Sequence, residues 1–409
     1  MDGLHIILQS PPPLKVPMLS DTPMHHDSQA IYLDHAATTP VRPEVAAAMA
    51  ACVVEDFGNP SSRHTWGRTA RSRLEEARSR VAASLGVPAS TVYFTRGGTE
   101  SDNLAVLGRA RSVAAATGSA HVVTSSIEHP AVLEAAHQAV REGGTHTVVG
   151  FDQGAFDMDA LRRVLRERPA VVSCMWVNNE TGMVLPIPEI AAECRARGVP
   201  LHSDAVQAAG KMPLPAAGIP ADLLTVTGHK IYGPKGTGAL IVQNRHDLRP
   251  LHFGGGQEGG LRPGTEDVAG AVGLAVALEL AVAETSTESA RLTTLREEVE
   301  TGLVDSVPGL RANGRGLPRA PHILSLSIQG ADSDTLLAAL DTCGIAASGG
   351  SACASGSSAT SPSLVVLGFD AASAALRLSF GRLNSHDQVG RIVAAVTGAV
   401  ERTRALVVS

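Results

Sequence analysis

Short apolar runs rich in β-branched residues alternate with longer, more polar segments between residues 91 and 242. The runs predict strands, and the segments between them have the apolar spacing of helices. The predicted strands are 91–95, 121–125, 146–150, 170–177, 200–203, 222–226 and 238–242. The helices predicted between them are one that opens near 98 and runs to 108, 130–142, 158–167 and 188–197, and two more, 44–55 and 63–85, precede the first strand. This alternation predicts an α/β fold whose large domain has a mostly parallel, helix-covered sheet.

A different pattern follows the three glycines at 254–256. Helices are predicted at 265–283, 287–306, 333–342 and 386–405, with strands at 321–328 and 375–380. This spacing indicates a smaller α+β domain at the C-terminus. We therefore predict a disordered lead-in (1–30), an N-terminal segment that joins the small domain (31–45), a large domain (46–284) and a small C-terminal domain (285–409).

Charge and cysteine content argue against several classes of protein. The chain carries 34 basic and 40 acidic residues, a net charge of −6, which gives no reason to expect direct nucleic-acid binding. Its five cysteines are odd in number and form no CxxC pair, so neither a disulfide framework nor a zinc knuckle is expected. This cysteine usage fits a reduced, cytoplasmic compartment.

No segment predicts export or insertion into a membrane. Residues 1–30 lack a basic stretch followed by a long apolar core, and Pro11-Pro12-Pro13 favours disorder. The most apolar long segment, 269–284, carries Glu279 and is too short to span a bilayer. We therefore expect a buried helix there.

Two charged residues follow neighbouring predicted strands. Lys230 comes after the apolar stretch 222–226, and Asp204 ends the short strand before it. Taken singly, Lys230 could be a solvated surface residue and Asp204 a helix cap. Together they suit pyridoxal phosphate, because the lysine can form an imine with the cofactor's aldehyde and the carboxylate can keep the pyridine nitrogen protonated.

Further unusual residues fall at the carboxyl ends of other predicted strands, where ligands bind in such sheets. Gly97-Gly98-Thr99 separates a strand from a helix, as an anion site at a helix N-terminus requires, although glycine-rich loops also serve as tight turns. Glu128-His129, Asn178-Asn179-Glu180 and Gln207 occupy equivalent positions. The clustering predicts a single site along this edge of the sheet.

One cysteine, Cys353, lies in a loop of Gly, Ser and Ala at about 348–362. Structural cysteines are usually buried among apolar neighbours, which this loop lacks, so we interpret Cys353 as a reactive thiol on a mobile loop. A thiol of this kind suits a sulfur shuttle that visits a cofactor and then a partner. The alternative is a flexible linker with an incidental cysteine.

Arg377 lies inside the apolar strand predicted at 375–380. A buried guanidinium needs a carboxylate partner. That partner could be a carboxylate of the protein, in a structural salt bridge, or the α-carboxylate of an amino-acid substrate.

Ten motifs, in order, resemble those of the cysteine desulfurases, a family of fold-type I, class V aminotransferase-like pyridoxal-phosphate enzymes. The resemblance covers about residues 31–405. It is carried by YLDHAATTP, GNPSS, GGTESDN, EHPAV, NNETG, HSDAVQ, TGHKIYGPKGTG, GGGQE with RPGTED, GSACASGS and LRLSFGR. Each motif is weak alone, but the ordered set is very specific.

The resemblance implies a role for each candidate residue. Lys230, His129 and Cys353 would be catalytic: Lys230 forms the imine, His129 stacks on the ring and moves protons, and Cys353 is the nucleophile and persulfide carrier. The other cofactor ligands would be Asp204 at the pyridine nitrogen, Gln207 at the ring hydroxyl, Asn179 over the ring, and Gly98, Thr99, Thr227, His229 and the other subunit's Thr265 at the phosphate. Arg377, with Asn179 nearby, would bind the substrate carboxylate.

The implied reaction converts L-cysteine to L-alanine and leaves the sulfur as a persulfide on Cys353. The segment 353–368 resembles the long loop of those family members that hand sulfur directly to iron–sulfur scaffold proteins or tRNA-thiolating enzymes. The resemblance implies a homodimer and no intrinsic metal, although Cys353 could be a transient iron–sulfur ligand with a scaffold. No membrane partner is implied.

Three other interpretations share some of these features. A selenocysteine lyase could share the loop, whereas another class V aminotransferase or lyase would not need Cys353. A non-catalytic partner that docks a scaffold would not need Lys230, Asp204 and His129. The chain also departs from the family in two ways. Thr227 stands where the family often has serine, and threonine keeps the hydroxyl. The lead-in through Ala30 has no counterpart in the family.

Overall fold

The computed structural model describes residues 30–152, 154–215, 218–243, 247–349, 361–370 and 373–408. The helices in these ranges are α1 (Pro43–Glu55), α2 (Thr65–Leu85), α3 (Gly98–Thr117), α4 (Pro130–Arg141), α5 (Met158–Val164), α6 (Ile187–Ala196), α7 (Val268–Ser306), α8 (Ser333–Thr342), α9 (Pro362–Val366) and α10 (Val389–Val408). The strands are β1 (Ile31–Tyr32), β2 (Val92–Thr95), β3 (His121–Ser125), β4 (Thr145–Val149), β5 (Phe151–Asp152), β6 (Ala155–Phe156), β7 (Val171–Ser173), β8 (Leu201–Asp204), β9 (Leu223–Thr227), β10 (Gly238–Val242), β11 (Leu310–Ala312), β12 (Ile323–Gln329), β13 (Ile345–Ala346) and β14 (Ser373–Ser379).

A seven-stranded sheet of order β2-β10-β9-β8-β7-β3-β4 forms the centre of the described chain. Its strands pair in parallel except β10, which runs antiparallel to both of its neighbours. Every residue of β9 and β10 is buried, which is why these strands read as continuous apolar runs rather than alternating ones. The predicted α/β class with a mostly parallel, helix-covered sheet is confirmed.

A smaller antiparallel sheet of order β11-β12-β14 forms with α8 and α10 a second apolar core. The N-terminal strand β1 pairs in parallel with β13, with Ile31 opposite Ile345. The N-terminal segment therefore packs beside the C-terminal elements. The predicted smaller α+β part is present.

The prediction of two separate helices at 265–283 and 287–306 is wrong. One helix, α7, runs unbroken from Val268 to Ser306. No glycine or proline lies at 284–287 to interrupt it, and the buried Thr285 donates its hydroxyl to the Ala281 carbonyl at 2.8 Å within the helix. Leu274 lies in the core beneath the large sheet and Leu303 in the core of the small one, so α7 joins the two.

The length of α7 also corrects the expectation that its apolar part is too short to cross a bilayer. Of the described helices, this one is long and apolar enough to do so. Buried residues make up 61% of its most apolar stretch, however. This burial is that of a core helix, as the sequence predicted.

The helix that was predicted to end at Gly108 continues as α3 to Thr117. Gly108 is required for close packing rather than for a helix stop, because a Cβ there would lie 2.8 Å from the Arg249 carbonyl oxygen. The helix ends instead at Gly118, whose φ of 90° is the left-handed conformation that favours glycine. The strand predicted at 170–177 is also shorter, since β7 covers only Val171–Ser173.

Candidate active site

A cavity of about 290 Å³ opens at the carboxyl ends of β8 and β9. It is lined by ten of the predicted site residues: Gly98, Thr99, His129, Asn179, Asp204, Gln207, Thr227, His229, Lys230 and Arg377. A larger cavity of about 680 Å³, beside β11 and α9, contains none of them. Thr265 is exposed and does not line the first cavity, and Cys353 lies outside the described residues.

Lys230 follows β9 directly, at the end of a single 3₁₀ turn, Gly228–Lys230. Its Nζ donates to the carbonyls of Ala36 at 2.7 Å and Ala37 at 2.6 Å. The turn needs its glycine because a Cβ on Gly228 would lie 2.9 Å from the Pro234 carbonyl oxygen. The N-terminal segment thus forms the wall of the pocket against which the amine lies.

Asp204 is buried at the end of β8. Its Oδ1 accepts a hydrogen bond from the Val206 amide at 2.9 Å. Burial raises the pKa of this carboxyl group, while the nearby His129 and Lys230 act in the opposite direction. A carboxylate in this position is stabilised by a cation beside it, such as a protonated ring nitrogen.

His129 is the N-cap of α4, and its Nδ1 accepts a hydrogen bond from the Ala131 amide at 3.1 Å. A neutral ring therefore carries its proton on Nε2. Burial lowers the pKa of His129, Asp204 raises it and Lys230 lowers it further. The geometry fixes the ring and leaves Nε2 as the atom that can exchange a proton.

The N-terminus of α3 forms an anion cradle at one end of the cavity. Its N-cap, Gly97, has φ 128° and ψ −176° and places no side chain over the helix end. A Cβ on Gly98 would come within 3.2 Å of Val206 Cγ2, so the helix end approaches the floor of the pocket closely. Backbone amides and the helix dipole at this position favour a phosphate.

Two polar side chains flank the cradle. Thr227 donates its hydroxyl to the Thr237 carbonyl at 2.9 Å. His229 Nδ1 lies 3.2 Å from the Thr38 hydroxyl, and burial, helped by Lys230, lowers the pKa of His229 to about 4. The imidazole is therefore neutral at pH 7 and acts at this position as a hydrogen-bonding group rather than as a cation.

Arg377, in β14, is almost fully buried and finds the carboxylate that the sequence requires. Its Nη2 donates to Asp34 Oδ1 at 2.8 Å, and its Nη1 donates to the Asn179 carbonyl at 2.8 Å. Its Nε is buried and has no hydrogen-bond partner among the residues that the structure describes. The ion pair holds the guanidinium at the pocket, and the unsatisfied N–H supports an anionic ligand there.

These residues fit pyridoxal phosphate. The α3 cradle suits the phosphate, the buried Asp204 suits a protonated ring nitrogen, and Lys230 supplies an amine in the same cavity. The three groups lie on neighbouring elements of one sheet edge. The fit follows from the chemistry of this donor set.

The sequence alone indicates no role for some residues at the site. Asp34 is separated from Arg377 by 343 positions, and no local pattern links the two. Lys211 and His322 both contact Gln207 behind the pocket wall. The spacing of Gln207 and Lys211 on one turn was a usable signal, whereas His322 gave none.

Comparison with known proteins gives a consistent result. The model of the family described as aminotransferase class-V matches residues 31–392. The chain is 43% identical over 382 residues to an IscS-like cysteine desulfurase of Mycobacterium tuberculosis, covering 91% of this chain and 97% of that protein. It is 40% identical over 379 residues to a cysteine desulfurase of Trichormus azollae, with 92% and 94% covered. A solved NifS-like protein superposes with a TM-score of 0.83 at 31% identity, over 91% of this chain and 100% of that one.

Proposed function

This chain belongs to the class V aminotransferase family and, within it, to the cysteine desulfurases, and we propose that its pocket converts L-cysteine to L-alanine and passes the sulfur to Cys353. The enzyme depends on pyridoxal phosphate. The observation that carries the proposal is the convergence of ten predicted residues from distant parts of the chain on one cavity. Lys230 and Asp204 lie together in that cavity.

Each residue acts where its contacts place it. When bound, pyridoxal phosphate supplies an electron sink for charge that develops at the substrate's α-carbon. Lys230 holds the cofactor through Nζ, and Asp204 keeps the ring nitrogen protonated. Gln207 and Asn179 orient the ring, and His129 moves a proton at Nε2.

Substrate binding falls to Arg377. Its guanidinium is fixed by Asp34 and the Asn179 carbonyl, so its geometry is set before the substrate arrives. We assign the substrate α-carboxylate to this arginine. The phosphate is assigned to the α3 cradle with Thr227, His229 and the partner subunit's Thr265.

The sulfur-transfer step uses the thiolate of Cys353. Its Sγ forms an S–S bond to the substrate sulfur while the substrate Cβ–S bond breaks. The electron pair of the broken C–S bond stays on Cβ. This carbon takes a proton from His129 and becomes the methyl group of alanine. The two sulfurs are oxidised to the persulfide as the carbon is reduced, so no outside oxidant is needed.

The enzyme is proposed to act as a homodimer that shares its active sites. Thr265 is exposed in one protomer, which agrees with a contact across an interface. Large apolar side chains are also exposed near the α1–α2 connection: Val53 at 62%, Val54 at 74%, Phe57 at 70% and Trp66 at 60%. An apolar group of this kind on a large protein favours burial by a second copy.

The remaining assignments follow from the same proposal. The sulfur acceptor is an iron–sulfur scaffold or a tRNA-thiolating enzyme, with Cys353 as a possible transient iron–sulfur ligand, and the compartment is the cytoplasm. We divide the chain functionally into a lead-in (1–30), a segment joining the small domain (31–45), a large domain (46–284) and a small domain (285–409). The lead-in, except Ala30, and most of the loop at 348–362 lie outside the described residues.

Borohydride trapping tests the proposal at its chemical centre. Reduction of the purified protein followed by peptide mapping should place the pyridoxyl group on Lys230. Lys230→Ala should lose the visible absorbance of the bound cofactor. A label on Lys211 or Lys235, or wild-type protein that binds no pyridoxal phosphate, would reject the assignment.

A further inference from the structure

Lys211 is a half-buried lysine whose amine ends among buried groups behind the pocket wall. Its Nζ donates to Gln207 Oε1 at 2.7 Å. His322 Nε2 lies 3.1 Å from the same oxygen. Gln207 and His322 are 2% and 1% exposed, so these contacts are shielded from water.

The contacts fix the orientation of the Gln207 amide. Its Nε2 donates to the Ala36 carbonyl at 2.8 Å, while its oxygen, on the other side, accepts from Lys211 and lies beside His322 Nε2. In the flipped orientation the amide nitrogen would face the Lys211 amine, donor against donor. The amide oxygen would face the Ala36 carbonyl oxygen, acceptor against acceptor. Both ends of the amide therefore select one orientation.

The orientation determines what Gln207 offers to a ligand. The carbonyl oxygen accepts from Lys211 and packs against His322, so it faces these two side chains. The amide nitrogen has two hydrogens, of which Ala36 takes one. Gln207 lines the cavity, so it can present only an N–H donor there, and such a donor favours the ionised form of a ring hydroxyl.

We propose that Lys211 is a positioning residue that, with His322, locks Gln207 as an obligate hydrogen-bond donor to the ring oxygen of the cofactor. This inference rests on the proposed function, since it assigns that ring oxygen to Gln207. Lys211 itself also belongs to a separate small cavity of about 40 Å³ on the far side of Lys230. It therefore acts through Gln207, not by contact with the substrate.

Several charged or titratable groups surround Lys211. Lys230, Arg377 and His322 interact with it electrostatically, and His35, Glu284 and Glu288 line the same small cavity. Burial, then Lys230 and Arg377, lower the pKa of Lys211 well below its ordinary value. The amine donates to Gln207 whether or not it carries a charge, so the lock operates across the working pH range.

The test is a pH titration of the visible absorbance of the bound cofactor. In Lys211→Met the midpoint should rise by about one pH unit, a tenfold change in the acid constant, because the ring oxygen loses a fixed donor. The same substitution at the exposed Lys235 is the matched control and should leave the midpoint unchanged. Gln207→Glu keeps Lys211 but removes the donor, and it should raise the midpoint as well.

A double-variant cycle separates this mechanism from a direct effect of the Lys211 charge. In a Gln207→Ala background, Lys211→Met should cause no further shift. A shift of equal size in both backgrounds would overturn the proposal, as would an unmoved midpoint in Lys211→Met or Gln207→Glu. Wild-type protein that binds no cofactor would instead overturn the proposed function and this inference together, so the two failures are distinguishable.

Discussion

Buried carboxyl groups distinguish this site at the scale of single residues. Glu128 lies between β3 and α4, where it accepts a hydrogen bond from the Met175 amide at 2.7 Å and contacts the Ser125 hydroxyl. Burial raises the pKa of Glu128 to about 8, with Asp204 adding to the effect and hydrogen bonds opposing it. At pH 7 this side chain is mostly protonated, so it places little negative charge beside Asp204.

Glu128→Gln should change how stability depends on pH. The folded protein holds a proton on Glu128 that the unfolded chain releases above about pH 4.5. The contribution of this proton to the free energy of unfolding is therefore full below pH 4.5 and is lost as pH rises towards 8. Glutamine does not titrate. Between pH 5 and 8 the variant should therefore gain about 3–4 kcal/mol of unfolding free energy relative to wild type.

Urea unfolding at several pH values measures this difference. Glu55→Gln, on the exposed surface of α1, is the matched control and should follow the wild-type profile. Parallel profiles for Glu128→Gln and wild type would show that Glu128 is ionised in the folded protein.

The sequence predicted residue identities at the site better than residue contacts. Lys230, Asp204 and His129 could be found because each follows a strand-like run, and parallel strands bring their carboxyl ends to one edge. Two contacts could not be found, because Asp34 lies 343 positions from Arg377 and His322 lies 115 positions from Gln207. Only three-dimensional packing brings them together.

At the scale of elements, the anion cradle depends on how closely β10 approaches the start of α3. Gly238 begins β10, and a Cβ there would lie 2.8 Å from Gly97 Cα and 2.7 Å from the Val226 carbonyl oxygen. Both neighbours are backbone, which cannot rotate aside. The glycine therefore sets the position of the cradle.

Gly238→Ala should displace Gly97 and weaken the retention of pyridoxal phosphate. It should also lower the unfolding free energy by about 1–3 kcal/mol, as overpacking of a close contact does. Dialysis followed by absorbance, together with urea unfolding, measures both effects. Gly390→Ala in α10 is the control, since a Cβ there meets no atom of the described residues within 4 Å. Equal behaviour of the two variants would contradict the account.

Element types were predictable, whereas some element ends were not. The helix stop expected at Gly108 failed because a tertiary contact with Arg249, invisible in the local pattern, is what requires that glycine. The division of α7 failed because the polar stretch at 284–287 resembles a loop in composition but contains no helix breaker. Tertiary packing decided both cases.

At the scale of the whole molecule, the proposed dimer accounts for apolar side chains that a monomer would leave in water. Val54 in α1 is 74% exposed and should lie at the interface. Val54→Glu should shift the protein from dimer to monomer and reduce activity, because a buried charge at an interface is costly. Light scattering with a turnover assay measures both.

Val140→Glu supplies the matched control for that experiment. Val140 is also an exposed helical valine, at 44%, but it lies on α4. This variant should remain dimeric and active. A wild-type enzyme that is fully active as a monomer would contradict the shared active site.

The central claim, sulfur transfer to Cys353, is tested most directly by mass spectrometry after incubation of the full chain with L-cysteine. Wild-type protein should release alanine and carry one added sulfur atom on the peptide that contains Cys353. Cys353→Ser should bind pyridoxal phosphate normally yet release almost no alanine, whereas Cys343→Ser should behave as wild type. Added sulfur on another cysteine, or normal alanine release by Cys353→Ser, would contradict the mechanism.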